Sequence, residues 1–253
     1  MIEEFVLLVN EVRLLLYRQR RYLFEFVMSF GVFLGVFAAL VIGMELLPSE
    51  GLIPGKASLA MGFVVWSFGV AAFASVSSEV SDEVKARCLE QICTVASPLD
   101  RVLVRRALVH IFSALASAFV MLHLCFWIAG EPVEINFLPL FALLLLGAPS
   151  LVGLGFVLGG LNVLLKQVET VSAIMIMGVV VLVSLPAYPL GPLSGLPFSY
   201  AAARIMGGRE ELSVGLQDVA IIGLNSAVYF ALGLFVFRRC YRVAIDRGSI
   251  GHA

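Results

Sequence analysis

The sequence predicts an all-α integral membrane protein with six transmembrane helices. Of its 253 residues, 60% are hydrophobic and only 14% are charged, and the mean hydropathy is +1.01. The apolar residues form runs of about 20, which is the length that an α-helix needs to cross the hydrocarbon core of a bilayer. The charged residues lie between these runs. This composition excludes a soluble domain, and the positions of the charges are more informative than the net charge of -1.

The N-terminal residues 1–21 are too polar to span a membrane, and their pattern predicts an amphipathic helix. Acidic and polar residues lie away from an apolar face, which is made by Phe5, Leu8, Val9, Val12, Leu15 and Leu16. A helix of this kind lies in the membrane interface with its apolar face among the acyl chains. A plain N-terminal anchor is equally compatible with the pattern.

Six apolar segments follow as the predicted spans of a single transmembrane domain that covers 1–253. They lie at about 22–47, 57–77, 104–128, 137–161, 170–185 and 214–237. The fourth span is rich in glycine, and Gly147, Gly155 and Gly159 share one helix face. Small residues on such a face let a neighbouring helix approach closely, and Pro149 can kink the span. The fifth span is short.

About 28 residues between the fifth and sixth spans, at 185–212, mix proline, glycine and apolar side chains. The segment is too apolar for a solvated loop and too often interrupted for a continuous span. We therefore predict broken half-helices that enter the outer leaflet before the last span. Such a segment is tolerated where protein or water satisfies its backbone.

A charged island, defined as residues 79–106, separates the second span from the third. It holds five acidic and five basic residues. An apolar stripe at helical spacing runs through Val84, Cys88, Leu89, Ile92, Cys93 and Ala96. Ser97 and Pro98 then interrupt the helix, because a residue before proline resists the α conformation. Ser97 is also a good N-cap for a second helix that continues into the third span.

The distribution of basic residues predicts the topology. Six spans place both termini and the charged island on one side of the membrane. Fourteen of the 17 lysines and arginines lie on that side, and only Lys56, Arg204 and Arg209 lie on the other. Because basic loops remain in the cytoplasm, both termini and the island are predicted to be cytoplasmic.

The charged island resembles the loop between the second and third spans of type-2 ABC exporter permeases. That family has a glutamate there, then a glycine-threonine-leucine-glutamate run, and a proline about eight residues later. Arg87 and Cys88 depart from this pattern, since they stand where the family has glycine and threonine. The pattern is matched by Glu83, Leu89, Glu90, Ser97 and Pro98. In architecture the resemblance covers nearly the whole chain.

The resemblance implies an elbow helix at 1–21 and a cytoplasmic coupling segment at 79–103 that docks on a separate ABC ATPase subunit. Two ATPase copies would serve two permease copies or homologous halves in the inner membrane. ATP and Mg would be bound by the ATPase, and no cofactor by this chain. Membrane lipids are expected partners and nucleic acid is not. The residues expected to contact the ATPase are Glu83, Arg87, Leu89, Glu90, Ser97, Pro98, Arg101, Lys166 and Gln167.

The function that the resemblance implies is outward transport of an amphiphilic substrate, such as a drug, a lipid or a lipid-linked glycan. Haem-exporter permeases of cytochrome c maturation share the six-span plan and a similar island, and they are the closest alternative. A spacer loop in place of a coupling segment, or a scaffold protein without transport, predicts no ATPase partner.

The residues themselves carry no strong catalytic motif. The segment 51–56 superficially suggests a phosphate loop, but its glycines are too close together and it lacks the hydroxyl residue. An intramembrane serine hydrolase is a second hypothesis, with Ser194 as nucleophile and His110 or His123 as base. The two histidines are 13 residues apart, about 20 Å along a helix. They are therefore too distant to share one metal ion.

Overall fold

The computed structural model describes residues 2–46, 55–85, 99–132, 136–165, 169–207 and 214–246. Within these ranges the chain is helical and contains no strand, which confirms the all-α class. We number the α-helices in chain order from α1 to α8: Ile2–Arg21, Leu23–Leu46, Lys56–Lys85, Leu99–Ala129, Phe137–Leu165, Glu169–Ser184, Ser199–Gly207 and Leu216–Asp246. A short 3₁₀ helix, Pro192–Gly195, precedes α7.

Five of the described helices, α2, α3, α4, α5 and α8, are long and apolar enough to cross a membrane. This confirms a multi-pass membrane architecture by length and composition. The predicted fifth span corresponds to α6, which has 16 residues. That is shorter than the roughly 20 residues that a perpendicular span requires. The N-terminal residues form the separate helix α1, as expected.

Three helices extend further than the predicted spans at their charged ends. The second span was expected to end at residue 77, but α3 continues to Lys85. The third span was expected from residue 104, and α4 begins at Leu99. Residues 79–85 are therefore the last turns of α3, and 99–106 are the first turns of α4. The last helix, α8, likewise continues beyond residue 237 to Asp246.

Helix α5 lies at the centre of the bundle and packs against α3 on one side and α8 on the other. The predicted glycine face explains the contact with α3. A Cβ atom on Gly155 would lie 2.5 Å from the Phe73 carbonyl oxygen, and one on Gly159 would lie 3.2 Å from Val80. The close approach expected from the sequence is confirmed. The helix runs continuously through Pro149.

A second glycine contact, on the opposite side of α5, was not predicted. A Cβ on Gly153 would lie 2.3 Å from the Tyr229 carbonyl oxygen of α8, and one on Gly233 would lie 2.0 Å from the Gly153 carbonyl oxygen. The α5 and α8 backbones are therefore in direct contact. In lipid, packing of this kind is a main source of helix association, because the hydrophobic effect does not favour one apolar contact over another.

The proline-rich segment before α8 is folded back against the bundle. Several of its backbone carbonyls have protein partners, which is how an interrupted segment can be tolerated within a membrane. The Asn225 amide donates to the Gly195 carbonyl at 3.0 Å and approaches the neighbouring carbonyls of Ser194 and Leu196. The Tyr229 hydroxyl donates to the same Gly195 oxygen at 3.0 Å. Two side chains of α8 thus satisfy the carbonyl end of the 3₁₀ helix.

A buried carboxylate fastens α7 to the start of α8. Asp218 accepts hydrogen bonds from the Tyr200 hydroxyl at 2.8 Å, the Arg204 Nε at 3.2 Å and the Gly215 backbone N–H at 3.2 Å. The Arg204 guanidinium also lies 5.0 Å from the centre of the Tyr188 ring. Burial and the hydrogen bond to Asp218 raise the pKa of Tyr200 to about 12, so its hydroxyl remains a donor at neutral pH.

The backbone contact between α5 and α8 predicts that Gly153→Ala destabilises the fold. The new methyl group would meet backbone atoms, which cannot move aside as a side chain can. We expect a loss of about 1–3 kcal/mol in the free energy of unfolding, measured by denaturation in detergent. Gly35→Ala is the matched control, because a Cβ on Gly35 meets nothing within 4 Å. Equal stability of the two variants would contradict the contact.

The role of Asn225 predicts a local effect. Asn225→Ala removes the donor that faces three carbonyls, and a lost hydrogen bond typically costs about 0.5–1.5 kcal/mol. We expect faster amide hydrogen exchange in residues 192–207 while the exchange of α3 and α4 is unchanged. Ser184→Ala is the control, since that hydroxyl is exposed and bonds within its own helix. Unchanged exchange in the Asn225 variant would show that these bonds do not hold the segment.

Candidate functional site

The charged ends of α3 and α4 meet in an ionic cluster, which we define as Glu11, Arg18, Glu79, Glu83, Arg106 and His110. Arg106 lies at its centre. One of its guanidinium nitrogens bonds to Glu83 and lies 3.2 Å from Glu79, and its Nε lies 3.4 Å from Glu11. Arg106 belongs to α4, whereas Glu79 and Glu83 belong to α3 and Glu11 belongs to α1. A single side chain of α4 therefore holds both α3 and α1.

Glu79 connects the cluster to α1 a second time. Its carboxylate lies 2.6 Å from the Arg18 guanidinium and 3.2 Å from the His110 ring. The Glu79 side chain is only 7% exposed, and that of Glu83 only 11%. Carboxylates so far from water remain charged only if cations and hydrogen-bond donors surround them. The cluster therefore depends on all three helices being present together.

The spacing of the charged residues along α3 and α4 explains why their side chains lie together in the cluster. Glu79 and Glu83 are four residues apart, so both carboxylates lie on one face of α3. Arg106 and His110 are also four apart, and they lie on the facing side of α4. Two matched i, i+4 pairs on adjacent helices bring the charges together. Because α3 ends at Lys85 and α4 begins at Leu99, the cluster joins the two ends of the island.

A second ion pair connects α4 with the last helix. Both Nε and a terminal nitrogen of Arg238 donate to Asp100, at 2.8 and 2.5 Å. Arg238 is half exposed, whereas the Asp100 side chain is 14% exposed. The first turns of α4 are thus bonded to α1, α3 and α8. A movement of residue 99 relative to the bundle would act on all three helices.

A cleft of about 1020 Å³ extends from the cluster between the α1–α2 pair and the α3–α4 pair. His110 and Arg18 line it where it meets the cluster. Its apolar walls include Phe26, Phe30, Phe33, Phe68, Val70 and Met121. Its volume lies at the upper end of the range for sites that enclose drug-sized ligands. Charged groups lie at one end, and the rest of the lining is mainly apolar, with Ser29, Ser67, Ser113 and Ser117 interspersed. The cleft is therefore suited to an amphiphile.

The predicted ATPase contacts are distributed as follows. Glu83 is largely enclosed in the ionic cluster, and Arg101 is exposed on the first turn of α4. The remaining predicted contacts lie outside the described residues, and they are Arg87, Leu89, Glu90, Ser97, Pro98, Lys166 and Gln167. The assignment of all nine residues to an ATPase interface stays a prediction.

The proposed serine dyad is not assembled in the described part of the chain. The Ser194 hydroxyl donates to the Gly191 carbonyl at 2.6 Å. His110 lies beside Glu79 in the ionic cluster, and His123 stacks on Phe137 with ring centres 5.3 Å apart. Neither histidine is hydrogen-bonded to Ser194. Among the described residues no group of three or more histidine, cysteine or acidic side chains could hold a metal ion.

Sequence reasoning identified the island but missed the part played by α1. The amphipathic pattern places Glu11 and Arg18 on the polar side of an interfacial helix and does not predict their ion pairs with α3 and α4. Their spacing of seven residues, with opposite charges on one face, was the signal available. Comparison with protein-family models, curated proteins and solved structures found no match for this chain.

The geometry of the cluster predicts that Arg106→Gln is strongly destabilising. Loss of the Arg106 guanidinium leaves the Glu79 and Glu83 carboxylates close together with one cation fewer. Removal of one partner from a buried ion pair costs about 3 kcal/mol or more. We expect this loss in the free energy of unfolding in detergent. Arg101→Gln removes the same charge from an exposed position of α4 and should change stability by less than about 0.5 kcal/mol. Similar effects of the two variants would argue against a supporting role for the cluster.

Proposed function

We propose that this chain is the permease subunit of an ATP-driven ABC exporter that moves an amphiphilic substrate outward across the inner membrane. A separate ABC ATPase, in two copies, would bind ATP and Mg and supply the energy. In this proposal α6 is the fifth of six spans, the bilayer thins locally to match its 16 residues, and both termini lie in the cytoplasm. Helix α1 is the elbow helix, and residues 79–103 contain the coupling segment.

The observation that carries this proposal is the bonding of both ends of the charged island to the bundle. Residues 86–98 connect the end of α3 to the start of α4, and Arg106 bonds across these two helix ends. A partner that displaced the connecting segment would therefore displace α1, α3 and α4 together. The Asp100–Arg238 pair would extend the movement to α8. A simple spacer loop does not require such connections.

The amphipathic cleft supports the choice of substrate class. It lies between the same helices that the ionic cluster joins, so displacement of the island would alter its width. Its aromatic and aliphatic walls can accommodate an apolar tail, and the polar end can receive a head group. A haem or a lipid-linked glycan would also be amphiphilic. Transport assays with the purified complex distinguish these substrates.

A second permease copy is part of the proposal. Helices α2 and α6 present apolar side chains that the rest of the chain leaves uncovered, such as Phe24 at 80%, Ile174 at 65% and Met177 at 64% exposure. In a bilayer such faces contact either lipid or another membrane helix. We assign them to the interface between permease copies or homologous halves, with the substrate path between the two.

The first test is copurification from the native source under mild detergent. We expect an ATPase with a phosphate-binding loop to be recovered in stoichiometric amount, and its turnover to respond to the permease. Reconstituted vesicles should then move substrate only with ATP. Recovery of a functional transporter that contains no ATPase would refute the proposal.

The Asp100–Arg238 pair provides a test of coupling within the described residues. We expect Arg238→Asp to reduce transport while ATP hydrolysis continues, because the start of α4 is no longer bonded to α8. Stability should change by less than about 1 kcal/mol, since Arg238 is half exposed. Transport and ATPase rates are measured on the same reconstituted samples.

Two controls separate this bond from a general effect of charge. Arg239→Asp introduces the same change at the next residue, whose guanidinium lies 5.9 Å from the centre of the Phe235 ring, and should leave coupling intact. The double variant Asp100→Arg with Arg238→Asp restores an ion pair of reversed polarity and should recover transport. If the double variant is as impaired as the single one, the pair does not transmit movement.

A further inference from the structure

We infer that the cleft between the α1–α2 and α3–α4 helix pairs binds one phospholipid whose head group carries a phosphate and a primary ammonium, as phosphatidylethanolamine does. The inference concerns binding alone, and it stands whether or not an ATPase acts on this chain. It is drawn from the length of the apolar walls and from the charges at the polar end of the cleft.

Along α4 the lining of the cleft extends for about the depth of one membrane leaflet. Along α4 the lining extends from His110 to Met121, a rise of about 16 Å. This is close to half of the roughly 30 Å hydrocarbon thickness of a bilayer. Along α2 the facing wall is shorter and runs from Phe26 to Phe33, a rise of about 10 Å. An acyl chain anchored at the polar end would therefore lie against α4 over this distance and against α2 over part of it.

Among the described residues that line the polar end, one cation and one anion are available to bind a ligand. Arg21 and Glu25 both line the cleft and are one helical turn apart. Neither forms an ion pair within the part of the chain that the structure describes, although Arg21 lies 5.7 Å from the centre of the Tyr22 ring. Arg18, the other cation of the lining, is already paired with Glu79. The free charges are thus balanced rather than cationic.

A balanced pair of charges favours a zwitterionic head group over an anionic one. The Arg21 guanidinium matches the oxygens of a phosphate, and the Glu25 carboxylate accepts hydrogen bonds from a primary ammonium. Choline has no N–H group and cannot make the second contact. Phosphatidylglycerol offers Glu25 no cation. Gln19, which donates to Ser113 across the cleft at 2.9 Å, borders the same end.

The chain offers a direct reporter of occupancy. It has two tryptophans, and Trp127 is 80% exposed. Trp66 lies beside the cleft, with its ring centre 5.8 Å from that of Phe33. In a Trp127→Phe background, quenching of Trp66 by lipids with brominated chains measures binding next to the cleft. The purified chain is placed in phosphatidylcholine nanodiscs, and brominated phosphatidylethanolamine, phosphatidylcholine and phosphatidylglycerol are compared at equal fractions.

We expect brominated phosphatidylethanolamine to bind roughly two- to fivefold more tightly than either other lipid, the range for one exposed charge contact. Glu25→Gln should remove the preference over phosphatidylglycerol. Arg21→Gln should weaken the binding of all phosphate head groups. Arg20→Gln removes the same charge from the same end of α1 without touching the lining, and it should change nothing.

Filling the cleft provides an independent arm. Ala114→Phe places a ring in the apolar part and should reduce quenching by all three lipids. Ser117→Phe places a ring one turn further along α4. It is used in place of Ala114→Phe if that variant loses its helical circular dichroism. Equal quenching by the three lipids, stronger quenching by phosphatidylglycerol, or an equal effect of Arg20→Gln and Arg21→Gln would overturn the inference.

Discussion

The bonding of Arg106 to acidic side chains of two other helices is the interaction on which the polar end of the molecule depends. A guanidinium can bond to several carboxylates at once, because its donors point in fixed and different directions. Arg106 uses this property to hold Glu79 and Glu83 of α3 and Glu11 of α1. Helix α1 is held to the bundle also by Arg18 at Glu79 and by Gln19 at Ser113, so polar contacts at this end determine its position.

The remainder of the bundle is held by a different force. Around α5 the helices approach until backbone meets backbone, because glycines occupy both of its contact faces. Hydrogen bonds from α8 then fix the irregular segment against this framework. Asn225 and Tyr229 donate to the 3₁₀ helix, and Asp218 accepts from Tyr200 of α7. The molecule therefore combines a close-packed centre with an ionic end. The cleft extends from the ionic cluster and is lined by α1, α2, α3 and α4.

Features that follow a regular pattern along the chain could be predicted from the sequence. The helical class, the apolar segments and the glycine face toward α3 follow from composition and periodicity. The contact of Gly153 with α8 could not be found in this way, since the partner is about 80 residues distant and its backbone carries no pattern. The ionic cluster was missed for a related reason. The charge of Glu83 was evident, but burial beside Arg106 depends on how α3 and α4 are paired.

One small detail of the irregular segment restricts how this protein can change over time. Phe198 has a φ angle of 63°, which is unusual for a residue with a side chain, and its ring occupies the space beside Gly147. Backbone conformations of this kind cost of order 1–3 kcal/mol and persist only when the surroundings require them. A methyl group at position 147 would collide with the ring at 2.9 Å. The Ala201 Cβ would lie 3.1 Å from the same methyl group. Mutations are therefore ordered in any lineage: the contacts at positions 198 and 201 must be relieved before a larger residue is tolerated at position 147.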